Sequence, residues 1–136
     1  MWINGNEIII GTKASEQIQV TMEIVKAYAE ISGDNNPIHL NKEYAENSFF
    51  KGMIAHGLFC LGMVSKIIGT VMPGEGSVFL NERIDYNKPA YIGDTITTTI
   101  EVIEIREDRR ILDLKIDCIN QKNESIMSGT TLVKMI

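Results

Sequence analysis

The sequence predicts an α+β fold in which helices pack on one side of an antiparallel sheet. Three observations carry this. The first half of the chain reads helical and the second half reads as four strands. One of those strands, Arg110 to Asn120, alternates Leu112, Leu114, Ile116 and Cys118 against Asp113, Lys115 and Asp117, a period of two that means one buried and one wet face. The longest apolar stretch, Met53 to Met72, has the length of a helix and carries His56, Ser65, Lys66 and three glycines. A membrane span would need about 20 residues nearly free of such groups, so the stretch is expected to be a helix buried inside the domain.

Taken in order, Glu7 to Ile10 and Gln17 to Val20 read as short strands. Thr21 is placed to cap a helix, with Glu23 in its first turn where the helix dipole favours an anion. Ile24, Val25, Tyr28, Ala29 and Ile31 give that helix its apolar stripe, and Gly33 ends it. Asp34 to Leu40 reads as a turn, because Asn35-Asn36-Pro37 resists both helix and strand. A short helix is expected over Lys42 to Glu46 and a long one from about His56 to Val71, stopped by Met72-Pro73-Gly74. The strands are Ser77 to Tyr86, Thr95 to Ile105, Arg110 to Asn120 and Ile126 to Met135, with turns at Glu107-Asp108 and Lys122-Asn123. An antiparallel sheet wrapped round one long central apolar helix is the hot-dog arrangement.

The 136 residues, 44% hydrophobic, fit a single domain over 1–136 that buries its core without staples. A net charge of -5 and a pI near 5.0 lack the basic field of a nucleic-acid binder. The start, MWINGNEIII, lacks the features of a signal peptide, and Cys60 and Cys118 are too few for a disulfide framework. Cytoplasm and reduced thiols are therefore expected, with no membrane partner.

The chemistry concentrates in Ser32-Gly-Asp-Asn-Asn-Pro-Ile-His39. Extended, Asp34 and His39 would lie about 17 Å apart; a turn at Asn36-Pro37 can aim both at one water for general acid–base catalysis. The plainer alternative makes Asp34 a turn cap and His39 a surface or core histidine. Gly57 falls at the start of the long helix, where free N–H groups and the positive dipole end suit an oxyanion such as a polarised thioester carbonyl. Tight helix packing is the competing explanation for that glycine. Two histidines and two scattered cysteines lack the spacing of a zinc site. Cys60 lies in an apolar run and reads as inert packing rather than a nucleophile.

These residues resemble the MaoC-like dehydratases, which include the R-specific enoyl-CoA hydratases. The resemblance rests on Gly33-Asp34-x-Asn36-Pro37-Ile38-His39, Ala55-His56-Gly57, Pro73-Gly74 and Tyr86-x-x-Pro89-x-x-x-Gly93-Asp94, and covers nearly the whole chain. It implies that Asp34 and His39 are a catalytic pair, that Asn36 helps position them, and that the Gly57 amide polarises a thioester carbonyl; His56 reads as orienting the start of the long helix, a supporting role rather than that of a base. Pro89 and Gly93 would shape the substrate pocket. It further implies syn addition of water to a trans-2-enoyl-CoA giving the (R)-3-hydroxyacyl-CoA, no cofactor and no metal. It implies an active site near the interface of a homodimer or dimer of dimers, which the unpaired sheet edges also favour. The sequence departs from the pattern at Gly62, where many such hydratases carry a small hydroxyl residue near the catalytic carboxylate. Two other readings stay open: another hot-dog enzyme, a thioesterase or acyl-carrier-protein dehydratase, and a non-catalytic acyl-thioester binding subunit.

Overall fold

The computed structural model describes all residues, Met1–Ile136. A two-stranded ribbon, β1 (Trp2–Ile3) and β2 (Asn6–Glu7), opens the chain and is followed by β3 (Lys13–Gln19). Then come α1 (Met22–Ser32), α2 (Pro37–Leu40), α3 (Lys42–Glu46) and α4 (Gly57–Thr70). The chain ends in β4 (Ser77–Tyr86), β5 (Thr95–Arg106), β6 (Ile111–Ile119) and β7 (Ser125–Met135). The large sheet is wholly antiparallel with order β3-β5-β6-β7-β4.

The inner face of this sheet follows the alternation in the sequence. Leu112, Leu114, Ile116 and Cys118 are fully buried, as are Ile96, Ile100 and Val102 on β5. The α4 helix lies on this face through Cys60, Met63, Val64, Ile67 and Ile68. Its opposite face, with Leu58, Gly62, Ser65 and Lys66, is exposed. The sheet thus covers the helix on one side and leaves its other side exposed. Spacing explains this: only the 60, 63, 64, 67, 68 stripe can face one layer of sheet. No helix is long and apolar enough to cross a membrane.

Other differences have local causes. Ile9 and Ile10 are exposed and belong to no strand; only Ile8 is buried, because Gly11 at φ +90° turns the chain away. The strand expected at Gln17 to Val20 starts at Lys13, since Ser15 and Gln17 extend its pairing by bonding Thr99 and Thr97 across β5. Ile31 is 85% exposed, so the stripe of α1 narrows to Val25 and Ala29. Thr21 caps α1 through the Ile24 N–H, and Gly33 closes it at φ +76°, a left-handed position that glycine takes without cost.

Gly129 of β7 is required by its neighbours: a Cβ there would stand 2.0 Å from the Arg83 carbonyl oxygen of β4. The clash is with backbone, so Gly129→Ala should lower stability by about 3 kcal/mol or more. Urea denaturation checks this, and a loss under about 1 kcal/mol would contradict the packing described.

Asp113 of β6 is the one carboxylate of the sheet with a buried oxygen lacking a hydrogen-bond partner. Burial first, and Glu104 directly opposite second, push its carboxyl above the usual carboxylate range. A raised folded-state value means that the folded protein holds this proton more tightly than the unfolded chain. Its ionised form therefore costs stability as pH rises through that value, and the cost vanishes in acid. Asp113→Asn should raise the melting temperature at neutral pH, by about 2 °C for a gain of roughly 0.5 kcal/mol. The gain should shrink towards acid pH; an equal gain at every pH would show that charge is not its cause.

Candidate functional site

The segment after α1 is organised by its own side chains. The Ser32 hydroxyl accepts the Asp34 N–H at 3.1 Å, and Asp34 Oδ1 accepts the Asn36 N–H at 3.1 Å. Asn36 Oδ1 in turn accepts the Ile38 N–H and caps α2, with Pro37 at its start. Asp34 is thus a turn former as well as an acid, and Asn36 acts by starting the helical turn that carries His39. The stretch read as a plain turn contains this short helix.

His39 is buried and its Nδ1 lies 2.7 Å from the Ile54 carbonyl oxygen. A carbonyl only accepts, so Nδ1 carries the proton and Nε2 keeps its lone pair. Ile54 is itself held by a bridge to Tyr91. His56 is 2% exposed, and its Nε2–H donates to the backbone oxygen of Asp34 at 3.0 Å. Its ring stacks on His39 with centroids 3.9 Å apart and touches Tyr28 on another side. His56 therefore clamps the Asp34 backbone beside the His39 ring. Its own Nδ1 is buried without a partner, a cost that marks the position as built for geometry rather than stability.

The result is a convergence that chain spacing alone does not reveal. One carboxylate oxygen of Asp34 and one ring nitrogen each of His39 and His56 lie within 4.8 Å of one another. That separation suits one water bridging a carboxylate and an imidazole. These three residues are also the set that could approach a metal ion, but the two imidazoles stack at 29°.

A cavity of about 580 Å³ opens next to this group, a size typical of small-molecule sites. His39, Gly57, Cys60, Tyr86 and Pro89 are among the residues that line it. Asp34 is exposed and does not line it, nor do Asn36, His56 or Gly93. Gly93, at φ +99°, makes the turn into β5 and donates to the Val20 carbonyl. The N–H groups of Gly57 and Leu58 donate to no protein atom, as expected for the first turn of α4. No hydroxyl stands at Gly62, which is exposed and has open space around it.

Tyr86 has a larger part in the site than its residue type signals. It entered only as part of a pattern at a strand end, yet its ring lies against Gly57: a Cβ there would stand 2.9 Å from Tyr86 Cε1. Close ring packing and an N–H without a protein acceptor thus occur at one residue. Gly57→Ala should cost about 1–3 kcal/mol through the displaced ring, although alanine is the better helix former. The double change Gly57→Ala with Tyr86→Ala should regain most of the loss introduced by the methyl group. Thermal melts of the four proteins in this cycle check it; a Gly57→Ala protein as stable as the parent would remove the ring from the explanation.

With this geometry in view, the comparisons with known proteins fall into place. A family model described as MaoC like domain matches residues 5–122. A 3-hydroxybutyryl-CoA dehydratase of Methylorubrum extorquens is 36% identical over 117 residues, 86% of this chain and 74% of that protein. An (R)-specific enoyl-CoA hydratase of Aeromonas caviae is 29% identical over 98% of this chain and 99% of its own length. Among solved structures, the (R)-hydratase from A. caviae involved in PHA biosynthesis superposes with a TM-score of 0.92 at 30% identity, covering 95% of this chain and 98% of that one. An R-hydratase from Pseudomonas aeruginosa in the unliganded form gives a TM-score of 0.90 at 29% identity, covering 95% and 83%. The sheet and helices described above are therefore those of a hot-dog protein, and the chain belongs to the MaoC-like dehydratase family.

Proposed function

We propose that this protein is an R-specific enoyl-CoA hydratase, which adds water reversibly to a trans-2-enoyl-CoA to give the (R)-3-hydroxyacyl-CoA. The observation that carries the proposal is the convergence of an Asp34 carboxylate oxygen and a His39 ring nitrogen within 4.8 Å, in a ring whose Nδ1–H is committed to the Ile54 carbonyl and which therefore has Nε2 to offer as the base. The apolar cavity accepts the acyl thioester, and the Gly57 N–H at the head of α4 receives its carbonyl oxygen. Water is held between Asp34 and His39. Its oxygen bonds to the β-carbon as its proton passes to His39 Nε2, and the double-bond electrons move onto the thioester as an enolate. The Asp34 carboxylate accepts a hydrogen bond from the water's other O–H, which stays on the oxygen as the product hydroxyl, and attracts the transient imidazolium. That imidazolium then returns its proton to the α-carbon. Hydroxyl and proton leave one site, so both arrive on the same face of the alkene. His56 and Asn36 keep the pair in place, and Pro89 bounds the cavity.

We read residues 1–136 as one domain, because β7, beyond the matched segment, completes the sheet between β6 and β4. The two cysteines are free and buried, which fits the cytoplasm. The edges favour a homodimer or dimer of dimers. The outer edge β3 is studded with Lys13, Glu16 and Gln19, whereas β4 leaves Val78 and Leu80 about half exposed. A second copy pairing along β4 would cover them. Light scattering at micromolar concentration should give at least twice 15.2 kDa; a monomer would contradict this.

Loss of crotonyl-CoA absorbance and the chirality of the product test the activity. Asp34→Asn keeps the Oδ1 that accepts the Asn36 N–H, and His39→Gln is similar in size, so both proteins should fold. Each should lose about 10²–10⁴-fold in kcat, and the double variant should be little worse than the poorer single one, because the two side chains act on one water. An Asp34→Asn protein with full kcat would return that residue to turn formation alone. An (S) product, or no turnover by the parent protein, would reject the assignment.

A further inference from the structure

Tyr28 belongs by spacing to the apolar stripe of α1, yet only Val25 and Ala29 of that helix are buried. The Tyr28 ring instead lies against His56, with centroids 4.6 Å apart and planes tilted by 48°. It does not line the cavity, so it can bear on the reacting pair only through other groups. We propose that Tyr28 is a positioning residue: its ring fixes the tilt of His56, and through His56 the alignment of Asp34 with His39. The inference rests on the hydratase reading above.

His56 needs such a wall. Its Nε2–H bonds the Asp34 carbonyl, while its Nδ1 is buried with no partner. A single hydrogen bond fixes one point of a ring and leaves the ring free to tip, so packing must set the tilt. His39 stacks on it with centroids 3.9 Å apart, and Tyr28 supplies the second aromatic contact. A buried nitrogen without a partner gains by reaching water. Space opened beside the ring would therefore draw water to Nδ1 and tip the imidazole. The Asp34 carbonyl would then lose its donor and His39 its stacking partner.

Tyr28 is firmly seated for this role. It lies one turn after Val25 and next to Ala29, both buried, in a helix capped by Thr21 and closed by Gly33. Its main-chain carbonyl accepts the Ser32 hydroxyl at 2.7 Å, and the Ser32 oxygen accepts the Asp34 N–H. One residue thus bears on Asp34 twice, at the amide through Ser32 and at the carbonyl through His56. Any residue type supplies the first link, because it is main chain. Only the ring supplies the second.

The test compares the parent with Tyr28→Phe, which keeps the ring, and Tyr28→Leu, which removes it. Crotonyl-CoA kinetics are measured beside nitrogen NMR of the imidazoles, without substrate, at about pH 8.5, where a free imidazole is neutral. The chain has 2 histidines, and His39→Gln assigns their signals. Parent and Tyr28→Phe should both show fixed tautomers, His39 protonated at Nδ1 and His56 at Nε2, with kcat equal within about twofold. Tyr28→Leu should average the His56 tautomers while Ile54 keeps that of His39. It should lower kcat by about 10- to 100-fold, as small misplacements of reacting groups do, and leave KM little changed. Should the leucine protein fail to fold by circular dichroism, Tyr28→Met, a flexible filler, takes its place. Parental kcat without the ring, or a low kcat with His56 still fixed, would overturn the inference and leave the hydratase reading standing. An equal loss in Tyr28→Phe would overturn it too, since the hydroxyl and not the ring would then matter. A parent protein inert towards crotonyl-CoA would overturn the hydratase reading itself, and this role with it.

Discussion

The hydrogen bond from His39 Nδ1 to the Ile54 carbonyl, 2.7 Å long, is the contact on which the proposed chemistry depends. A neutral imidazole has two tautomers, and only one leaves Nε2 able to take a proton from water. A backbone carbonyl makes the choice without ambiguity, because it cannot donate. Ile54 can serve because its segment is tied to Tyr91 and to the Ala90 carbonyl through Ala55. The His39 ring is thus oriented by main chain anchored beside the sheet.

The rest of the site can be understood as support for that one ring. The caps at Ser32, Asp34 and Asn36 fold a short segment so that an acid and an imidazole meet. His56 bonds the Asp34 backbone with one nitrogen and stacks on His39, leaving its other nitrogen buried and unpaired. Such a group costs stability; its contacts with both Asp34 and His39 fit a positioning role in the proposed chemistry. The sheet contributes a rigid inner face, and α4 contributes the first-turn amides. This division between a rigid scaffold and a site carried on short segments is common in enzymes.

Much of the sheet was legible because its signal is local. The Leu112 to Cys118 alternation and the Ser77 and Ile126 strands needed no distant information, and their limits agree with the structure to within a residue or two. Gly33 and Thr21 were equally plain as caps. The exposed face of α4 was not legible, since Leu58 is apolar and glycine is silent about burial. The isoleucines at 9, 10 and 31 misled for the same reason. At the site, the Asn36-Pro37 turn announced itself, but the partners of the two histidines did not. Ile54 lies 15 residues from His39 and meets it through its main chain, which leaves no mark on residue type. Tyr86 against Gly57 is likewise a contact of the folded chain.

Delivery of hydroxyl and proton from one water held between Asp34 and His39 is the central claim, and its stereochemistry is directly measurable. Crotonyl-CoA is hydrated in D2O and the relative configuration at the two new centres is read by proton NMR of the hydroxyacyl product. The account predicts a single diastereomer, with deuterium at the α-carbon and oxygen at the β-carbon added to the same face. Addition to opposite faces, or a mixture of both diastereomers formed before exchange, would contradict it.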